Sequence, residues 1–229
     1  MNFKHLTASV LALAALSLGS AATAAPITST NYFGALKEAT FGGDGIPNAA
    51  VAIAKTSGDL TLGLTAHQRY SGQPALANDG AGRFTATAGV SPDAPSPGNP
   101  YATWNFGFYI GGSDVSQFSY ALLYDVDPAA GTSEANLQKL TPTPFQLTAL
   151  SQNSWNLGMD FLELSRAFDA NQNGEYNFAL IAYDGSTEVA RSAIVVDVTG
   201  GTNAVPTPGT LPLILLALLG LVGISRRRR

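Results

Sequence analysis

Alternation between apolar and polar residues is the feature that most constrains how this chain folds. The clearest case is the run Thr103–Ile110, where one face carries Trp104, Phe106, Phe108 and Ile110 and the other carries Thr103, Asn105, Gly107 and Tyr109. Successive side chains of a β-strand point to opposite sides of the sheet, so this alternation indicates a strand. The run predicts a strand with one buried face and one more solvated face.

Shorter runs of the same kind recur along the chain. They cover Leu60–Thr65, Phe84–Ala88, Phe118–Tyr124, Tyr176–Tyr183 and Ser192–Val198, with weaker ones at Tyr32–Leu36, His67–Tyr70 and Trp155–Phe161. About nine short strands separated by turn residues predict an all-β domain, folded as an antiparallel β-sandwich of Ig-like or jelly-roll-like layout. We expect this domain to cover residues 25–199, with the order of its strands left open.

Three segments interrupt the strand pattern. Met159–Phe168 permits either a short helix or a strand that runs into a loop. Gly89–Pro100 and Asp127–Pro144 are rich in proline, which predicts surface connections with restricted backbones.

The chain has 229 residues and no cysteine. Disulfides, cysteine-ligated metal sites and thiol nucleophiles are therefore excluded. Five of the twelve basic residues lie in the terminal segments, which leaves seven basic residues against all sixteen acidic ones in between. Such an acidic surface repels phosphate backbones, so we expect no nucleic-acid partner.

Residues 1–24 have the pattern of a secretory signal peptide. Lys4 supplies the positive start, Val10–Leu18 is a short apolar core, and Ala22 and Ala24 are the small residues that signal peptidase requires before the cleaved bond. The pattern predicts export, with cleavage after Ala24.

The C-terminal segment 205–229 combines Pro206-Thr207-Pro208, an apolar stretch over residues 211–225 and the cluster Arg226, Arg227, Arg228 and Arg229. A helix of this length spans about 22 Å, which is shorter than the roughly 30 Å hydrocarbon core of a bilayer. The arginines favour the cytoplasmic side, so the preceding domain is expected across the inner membrane. Residues 200–204 are predicted to form a flexible linker.

This tail resembles the PEP-CTERM sorting signal, in which a Pro-x-Pro motif precedes a Leu/Gly-rich helix and a terminal arginine cluster. The resemblance implies recognition by an exosortase, transient residence in the inner membrane, and transfer to the cell surface or extracellular matrix of a Gram-negative bacterium. Thr207 stands where the family usually has Glu. The middle of the chain, on the stretches Gly58–Thr65, Asn78–Gly82, Trp104–Gly112 and Gly174–Leu180, resembles ectodomains of uncharacterised PEP-CTERM proteins, and that resemblance carries no activity. The alternative is a permanent membrane anchor.

Few residues have the chemistry of a catalytic site. His67 is the single histidine outside the signal peptide, it lies in a predicted strand or strand edge, and the chain has no Gly-x-Ser-x-Gly motif. We therefore expect a structural or exposed histidine. Asp125 and Asp127 share one face at the end of a predicted strand, and such a pair suggests a polysaccharide hydrolase as the alternative function.

Residues 169–175 match the first half of a calcium-binding loop. The candidate ligands are Asp169, Asn171, Asn173 and Glu175, but Leu180 occupies the twelfth position, where a bidentate Glu is required. Asn173-Gly174 followed by alternating apolar residues also indicates a hairpin turn that needs no metal. The turn is favoured, and no cofactor is expected.

These observations favour an exported, non-catalytic cell-surface or extracellular-matrix protein, associated with exopolysaccharide in a biofilm. Aromatic side chains that could stack on sugars include Tyr70, Tyr101 and Tyr109. The alternatives are the hydrolase and a permanently anchored periplasmic binding module. The patterns that begin at Trp104-Asn105 and Trp155-Asn156 are similar, which fits either corresponding strands of facing sheets or coincidence.

Overall fold

The computed structural model describes residues 29–69, 75–93, 101–113, 115–141, 150–162 and 168–201. Within these ranges the strands are β1 Ser29–Gly34, β2 Val51–Thr56, β3 Thr61–Gln68, β4 Ala77–Asn78, β5 Arg83–Thr87, β6 Trp104–Gly111, β7 Ser119–Tyr124, β8 Gln138–Leu140, β9 Leu150–Trp155, β10 Gly174–Asp184 and β11 Thr187–Thr199. Two short 3₁₀ helices lie at Val115–Gln117 and Glu134–Asn136. The described part of the chain is mostly β, as the alternation predicts.

The strands form two sheets. Sheet A has the order β1-β2-β3-β6-β9, and sheet B has the order β4-β5-β11-β10-β7-β8. All neighbours pair antiparallel except β11 and β5, which run parallel from Val195↔Arg83 to Thr199↔Thr87. The prediction of a purely antiparallel arrangement is therefore wrong at this pair, because β5 and the last strand are far apart in sequence and no hairpin dictates their direction.

The core lies between the two sheets. Leu62 and Phe106 from sheet A share one apolar cluster with Phe178 and Val196 from sheet B. The rings of Phe106 and Phe178 meet with their centroids 4.7 Å apart, so the sheets are in direct contact. This is the two-layer arrangement that buries the apolar faces of two sheets at once.

The outer face of sheet A is also covered, which differs from the prediction for Thr103–Ile110. All of β6 is buried, including Asn105 and Tyr109 on the face expected to be wetter. The segment 35–50 folds over this face, and a second apolar cluster joins Phe41 to Tyr109. At Gly107 a Cβ atom would come within 2.9 Å of the Phe41 ring, so glycine allows the segment to approach the strand.

Several element boundaries depart from the predictions. Strand β2, Val51–Thr56, carries no clear alternation and was missed, since both of its faces are largely buried. His67 belongs to the long strand β3 rather than to a separate strand. The predicted loop Asp127–Pro144 contains β8, and Trp155 ends a strand where one was expected to begin. The described part of Met159–Phe168 forms turns rather than a helix.

The signal peptide, the sorting motif and the apolar tail fall outside the described residues. Among the residues that the structure does describe, no helix has the length and apolar character needed to cross a membrane. Gly201, at the start of the predicted linker, donates its backbone N–H to Oδ1 of Asn173.

Candidate functional site

An open concavity lies on the outer face of sheet B. It has a volume of about 420 Å³, and its polar lining residues are Asp79, Arg83, Thr132, Glu134, Asn177 and Arg191. We call it the outer groove. Its floor is the outward-facing surface of β10 and β11, and its walls are the 79–83 turn and the Glu134–Asn136 helix.

Asp79 stabilises one wall of the groove. Oδ1 of Asp79 accepts hydrogen bonds from the backbone N–H groups of Ala81 at 2.7 Å and Arg83 at 3.0 Å. These bonds favour the ionised carboxylate and lower the pKa of Asp79. An aspartate that bonds the backbone two residues on is a common turn-former, and here it places Arg83 at the groove.

Arg83 is the centre of the first ionic cluster of the groove. Its Nη1 donates to Asp197 at 2.6 Å and its Nη2 donates to Glu175 at 3.2 Å. The backbone N–H of Gly131, followed by Arg83, lowers the pKa of Glu175. The cluster therefore joins β5, β10 and β11 across the sheet face while leaving polar atoms in reach of solvent.

Arg191 is the centre of the second ionic cluster. Its Nε donates to Glu188 at 2.7 Å, and its Nη1 donates to Glu134 at 2.9 Å. Arg191 lowers the pKa of Glu188 through this hydrogen bond. Glu134 lies on the Glu134–Asn136 helix and Arg191 lies on β11, so this ion pair connects the second wall of the groove with its floor.

Guanidinium, carboxylate and amide groups can each donate to or accept from two neighbouring hydroxyls. The outer groove offers all three kinds of group at the edges of a floor that includes Leu137 and Ala179. Mixed planar polar groups over a partly apolar floor are suited to binding a polyhydroxylated ligand such as a glycan.

The predicted aromatic candidates do not form a platform in the described residues. Tyr109 is buried beneath the 35–50 segment, and burial raises the pKa of its hydroxyl. Tyr101 is half-buried, with the Arg69 guanidinium 4.5 Å from the centre of its ring. Tyr70 lies outside the described residues. Tyr109 is thus excluded as a sugar-stacking residue, because its face is covered by protein.

His67 is buried in a central strand, not exposed at an edge. Its side chain is 2% exposed, with Nδ1 2.8 Å from the carbonyl oxygen of Gln68 and Nε2 2.8 Å from Oγ of Ser154. Desolvation lowers the pKa of His67, and the nearby charge of Arg69 acts in the same direction. The sequence identified the histidine but not its serine partner, 87 positions away.

Two asparagines connect to this histidine. Nδ2 of Asn156 donates to Oδ1 of Asn105 at 2.8 Å, and Nδ2 of Asn105 donates to Oγ of Ser154 at 3.0 Å. The Trp-Asn patterns were the sequence signal for these residues. They lie at neighbouring strands of one sheet, since β6 pairs with β9, so the interpretation as strands of facing sheets is wrong.

Asp125 and Asp127 support a turn. Asp125 is buried, and its carboxylate accepts from the Asp127 backbone N–H at 3.0 Å and from Asn177 Nδ2 at 3.3 Å. Desolvation raises the pKa of Asp125. Asp127 is exposed and accepts from the Ala129 backbone N–H at 2.9 Å. Both carboxylates thus accept backbone hydrogen bonds within the 125–129 segment, and that of Asp125 is shielded from solvent.

The oxygen atoms of the calcium-like segment contact protein donors. Asp169 accepts from the Asn171 N–H, Asn173 accepts from Gly201, and Glu175 accepts from Arg83 and Gly131. Among the described residues no group of three or more acidic or histidine side chains could hold a metal ion. The expected hairpin turn at Asn173-Gly174 is wrong, because Gly174 begins β10 and the hairpin closes at Gly185-Ser186.

Comparisons with protein-family models, with curated proteins and with solved structures each find no match to this chain. The predicted processing residues, Ala22, Ala24, Pro206, Thr207, Pro208 and the arginines 226–229, all lie outside the described residues.

Proposed function

We propose that this chain is an exported cell-surface or extracellular-matrix protein that associates with exopolysaccharide through the outer groove. The observation that carries the proposal is the open concavity of about 420 Å³ that combines guanidinium, carboxylate and amide groups on one sheet face. A rigid sheet holds these groups in fixed positions, which lowers the entropy lost when a flexible polymer binds.

The charge of the outer groove indicates how much charge its polysaccharide ligand can carry. Arg83 and Arg191 are each paired with two carboxylates, and Asp79 adds a further negative charge. Counting the ion-pair partners beside the groove, five carboxylates accompany two guanidinium groups, and this excess of negative charge disfavours a dense polyanion. We therefore propose a neutral or sparsely charged polysaccharide as the ligand.

Export and sorting belong to the same proposal. The signal peptide over 1–24 and the tail over 205–229 support delivery through the inner membrane, removal of the tail by an exosortase, and release to the surface or matrix.

An Ig-like or jelly-roll-like layout is the proposed finer fold class. The two sheets with a shared core support it, whereas the parallel β5/β11 pair departs from its antiparallel form.

Binding is tested by co-sedimentation of the full-chain protein with exopolysaccharide from its host. Replacing Arg191 by Ala removes the guanidinium between the wall and the floor, and we expect the apparent affinity to fall about tenfold. The matched control is Lys55→Ala, which removes an exposed cation of an ion pair on the other sheet. Equal binding by the wild type and Arg191→Ala would remove the outer groove from the proposal.

Two further measurements separate the alternatives. Release of reducing ends from the same polysaccharide would favour the hydrolase. The intact mass and cellular fraction of the native protein are compared between a wild-type host and a host that lacks its exosortase. A shortened species outside the cell that disappears in the mutant supports sorting. A full-length species in the membrane of both hosts indicates a permanent anchor.

A further inference from the structure

A second cavity lies on the opposite side of the molecule, on the outer face of sheet A. It has a volume of about 190 Å³ and is lined by His67, Arg69, Asn105, Asn153 and Ser154 together with residues 41–43 and 46 of the covering segment. We call it the small cavity. It shares no lining residue with the outer groove. Ser154 is half-buried and Asn153 is exposed, so the cavity reaches solvent at strand β9.

Hydrogen bonds through the small cavity run in one direction. Nδ2 of Asn156 donates to Oδ1 of Asn105, and Nδ2 of Asn105 donates to Oγ of Ser154. At the other end, Nδ1 of His67 lies 2.8 Å from the Gln68 carbonyl oxygen, which can only accept. Nδ1 of the neutral imidazole therefore carries the proton. Nε2 is left as an acceptor for the Ser154 hydroxyl proton at 2.8 Å.

This protonation pattern is the one that activates a serine. A nucleophilic hydroxyl needs a base within hydrogen-bond distance, and the base needs a third group that fixes its tautomer. Ser154, His67 and the Gln68 carbonyl occupy these three positions. Burial favours neutral imidazole, the form that can accept a proton.

We propose that the small cavity is a serine-dependent site that cleaves short-chain acyl esters. This activity goes beyond the proposed glycan binding and would amend the expectation of a non-catalytic protein. The volume of about 190 Å³ has room for a small acyl group such as acetyl. The substrate class is an uncharged ester of a small carboxylic acid with an alcohol, such as an acetylated sugar hydroxyl.

In the first step Oγ of Ser154 attacks the ester carbonyl carbon, and its proton moves to Nε2 of His67. The carbonyl electrons move to oxygen, close to Nδ2 of Asn105 and in a cavity that Arg69 also lines. When the carbonyl reforms, the bond to the leaving alkoxide breaks and the alkoxide takes the proton from His67. The alcohol departs, and the acyl group remains on Ser154.

In the second step water attacks the acyl carbon while His67 accepts its proton. The bond to Oγ of Ser154 breaks, and the proton returns from His67 to that oxygen. The products are one carboxylic acid and one alcohol from one ester and one water. Each proton that His67 accepts is returned, and no oxidant or reductant is required.

The test treats the full-chain protein with 4-nitrophenyl acetate. We expect one acetyl group on Ser154, located by peptide mass, and hydrolysis at least about 100-fold faster than for Ser154→Ala. The rate of the wild type should rise with pH to a plateau, as neutral His67 becomes fully populated. The matched control Ser151→Ala, on the same strand, should retain both acetylation and rate.

Two outcomes would overturn the proposal. One is hydrolysis by Ser154→Ala at the wild-type rate. The other is a folded wild-type protein, with a cooperative melting transition, that neither acquires an acetyl group on Ser154 nor hydrolyses the ester faster than Ser154→Ala. Labelling of the wild type requires no variant to fold, so an unstable Ser154→Ala protein would not obscure the result. Binding of polysaccharide at the outer groove is measured separately, and its failure leaves this test unaffected.

Discussion

The two sheets carry polar side chains on their outer faces in opposite ways. On sheet A, Asn156, Asn105, Ser154 and His67 form a buried polar chain without a net charge, beneath or beside the 35–50 segment. On sheet B, the clusters around Arg83 and Arg191 are ionic and open to solvent. The same structural element, a sheet face, thus holds one neutral network that is largely buried and one charged network that is open to solvent.

The difference shows how burial decides what a polar contact contributes. A buried group that loses its partner costs about 1–3 kcal/mol, because water cannot replace the missing bond. An exposed ion pair contributes about 0–1 kcal/mol, because water and salt compete for both charges. Stability should therefore depend on the buried polar chain, while the exposed clusters remain free to exchange partners with a ligand.

The largest effect is expected at Asn156. Its Oδ1 accepts hydrogen bonds from the backbone N–H groups of Ala102 and Gly158. Its Nδ2 donates to the carbonyl oxygens of Ala102 and Trp104 and to Oδ1 of Asn105. Asn156→Ala leaves several buried groups without partners, and we expect the free energy of unfolding to fall by about 3–5 kcal/mol. Urea denaturation of the wild type and the variant measures this difference in the free energy of unfolding.

The control for Asn156 is Asn153→Ala on β9, the strand that ends directly before Asn156. Asn153 is exposed and its side chain accepts one bond, from the Ser154 backbone. Its replacement should cost no more than about 1 kcal/mol. Equal losses in the two variants would mean that burial does not distinguish the two regions.

A smaller effect should follow the protonation of His67. Its pKa is lowered in the folded protein, chiefly by desolvation, from an ordinary value of about 6.5. The unfolded chain then binds the proton more readily. The stability that neutral His67 provides is complete above about pH 6.5 and is lost as the pH falls through the lower folded pKa. Denaturation midpoints between pH 7 and 5 measure the loss.

His67→Gln should flatten the pH dependence in this window. The lowered pKa values of Glu175 and Glu188 act at lower pH, below the ordinary glutamate value of about 4.3, so they are separable. A wild type and a His67→Gln variant with the same slope from pH 7 to 5 would show that the buried polar chain is insensitive to protonation.

The smallest effect is expected at the exposed clusters. Arg191→Gln removes the contacts to Glu134 and Glu188, and we expect a loss of less than about 1 kcal/mol at low salt. The loss should shrink further in about 1 M salt, where charges are screened within about 3 Å. A large loss of unfolding free energy that does not depend on salt would mean that the Arg191 cluster stabilises the fold as the buried polar chain does, and is not an exposed binding surface.

Some of the fold could be predicted from single residues and their spacing. The alternation at Thr103–Ile110 identified β6, and the runs near Phe84, Phe118, Tyr176 and Ser192 identified further strands. Strand β2 was missed because a strand buried on both faces has no alternation to detect. The hairpin was misplaced at Asn173-Gly174 because Gly174 is needed for close approach to Pro128, not for a turn.

The candidate sites were less predictable, since each depends on residues from distant parts of the chain. The outer groove joins Asp79 and Arg83 to Glu134 and Arg191, and the small cavity joins His67 to Ser154. Neither set forms a local motif. The local patterns near Asp169 and Asp125 resemble a calcium loop and a catalytic carboxylate pair, although their oxygens accept hydrogen bonds within turns in the structure.

By itself the sequence determined the β character of the domain, the positions of most strands, and a fold without disulfides. These follow from side-chain periodicity and composition, which are local properties. Only the tertiary structure decided that β5 runs parallel to β11, that the 35–50 segment covers sheet A, and that Ser154 lies beside His67. Periodicity shows on which side of a strand a residue lies, but the pairing of distant strands decides what it meets there.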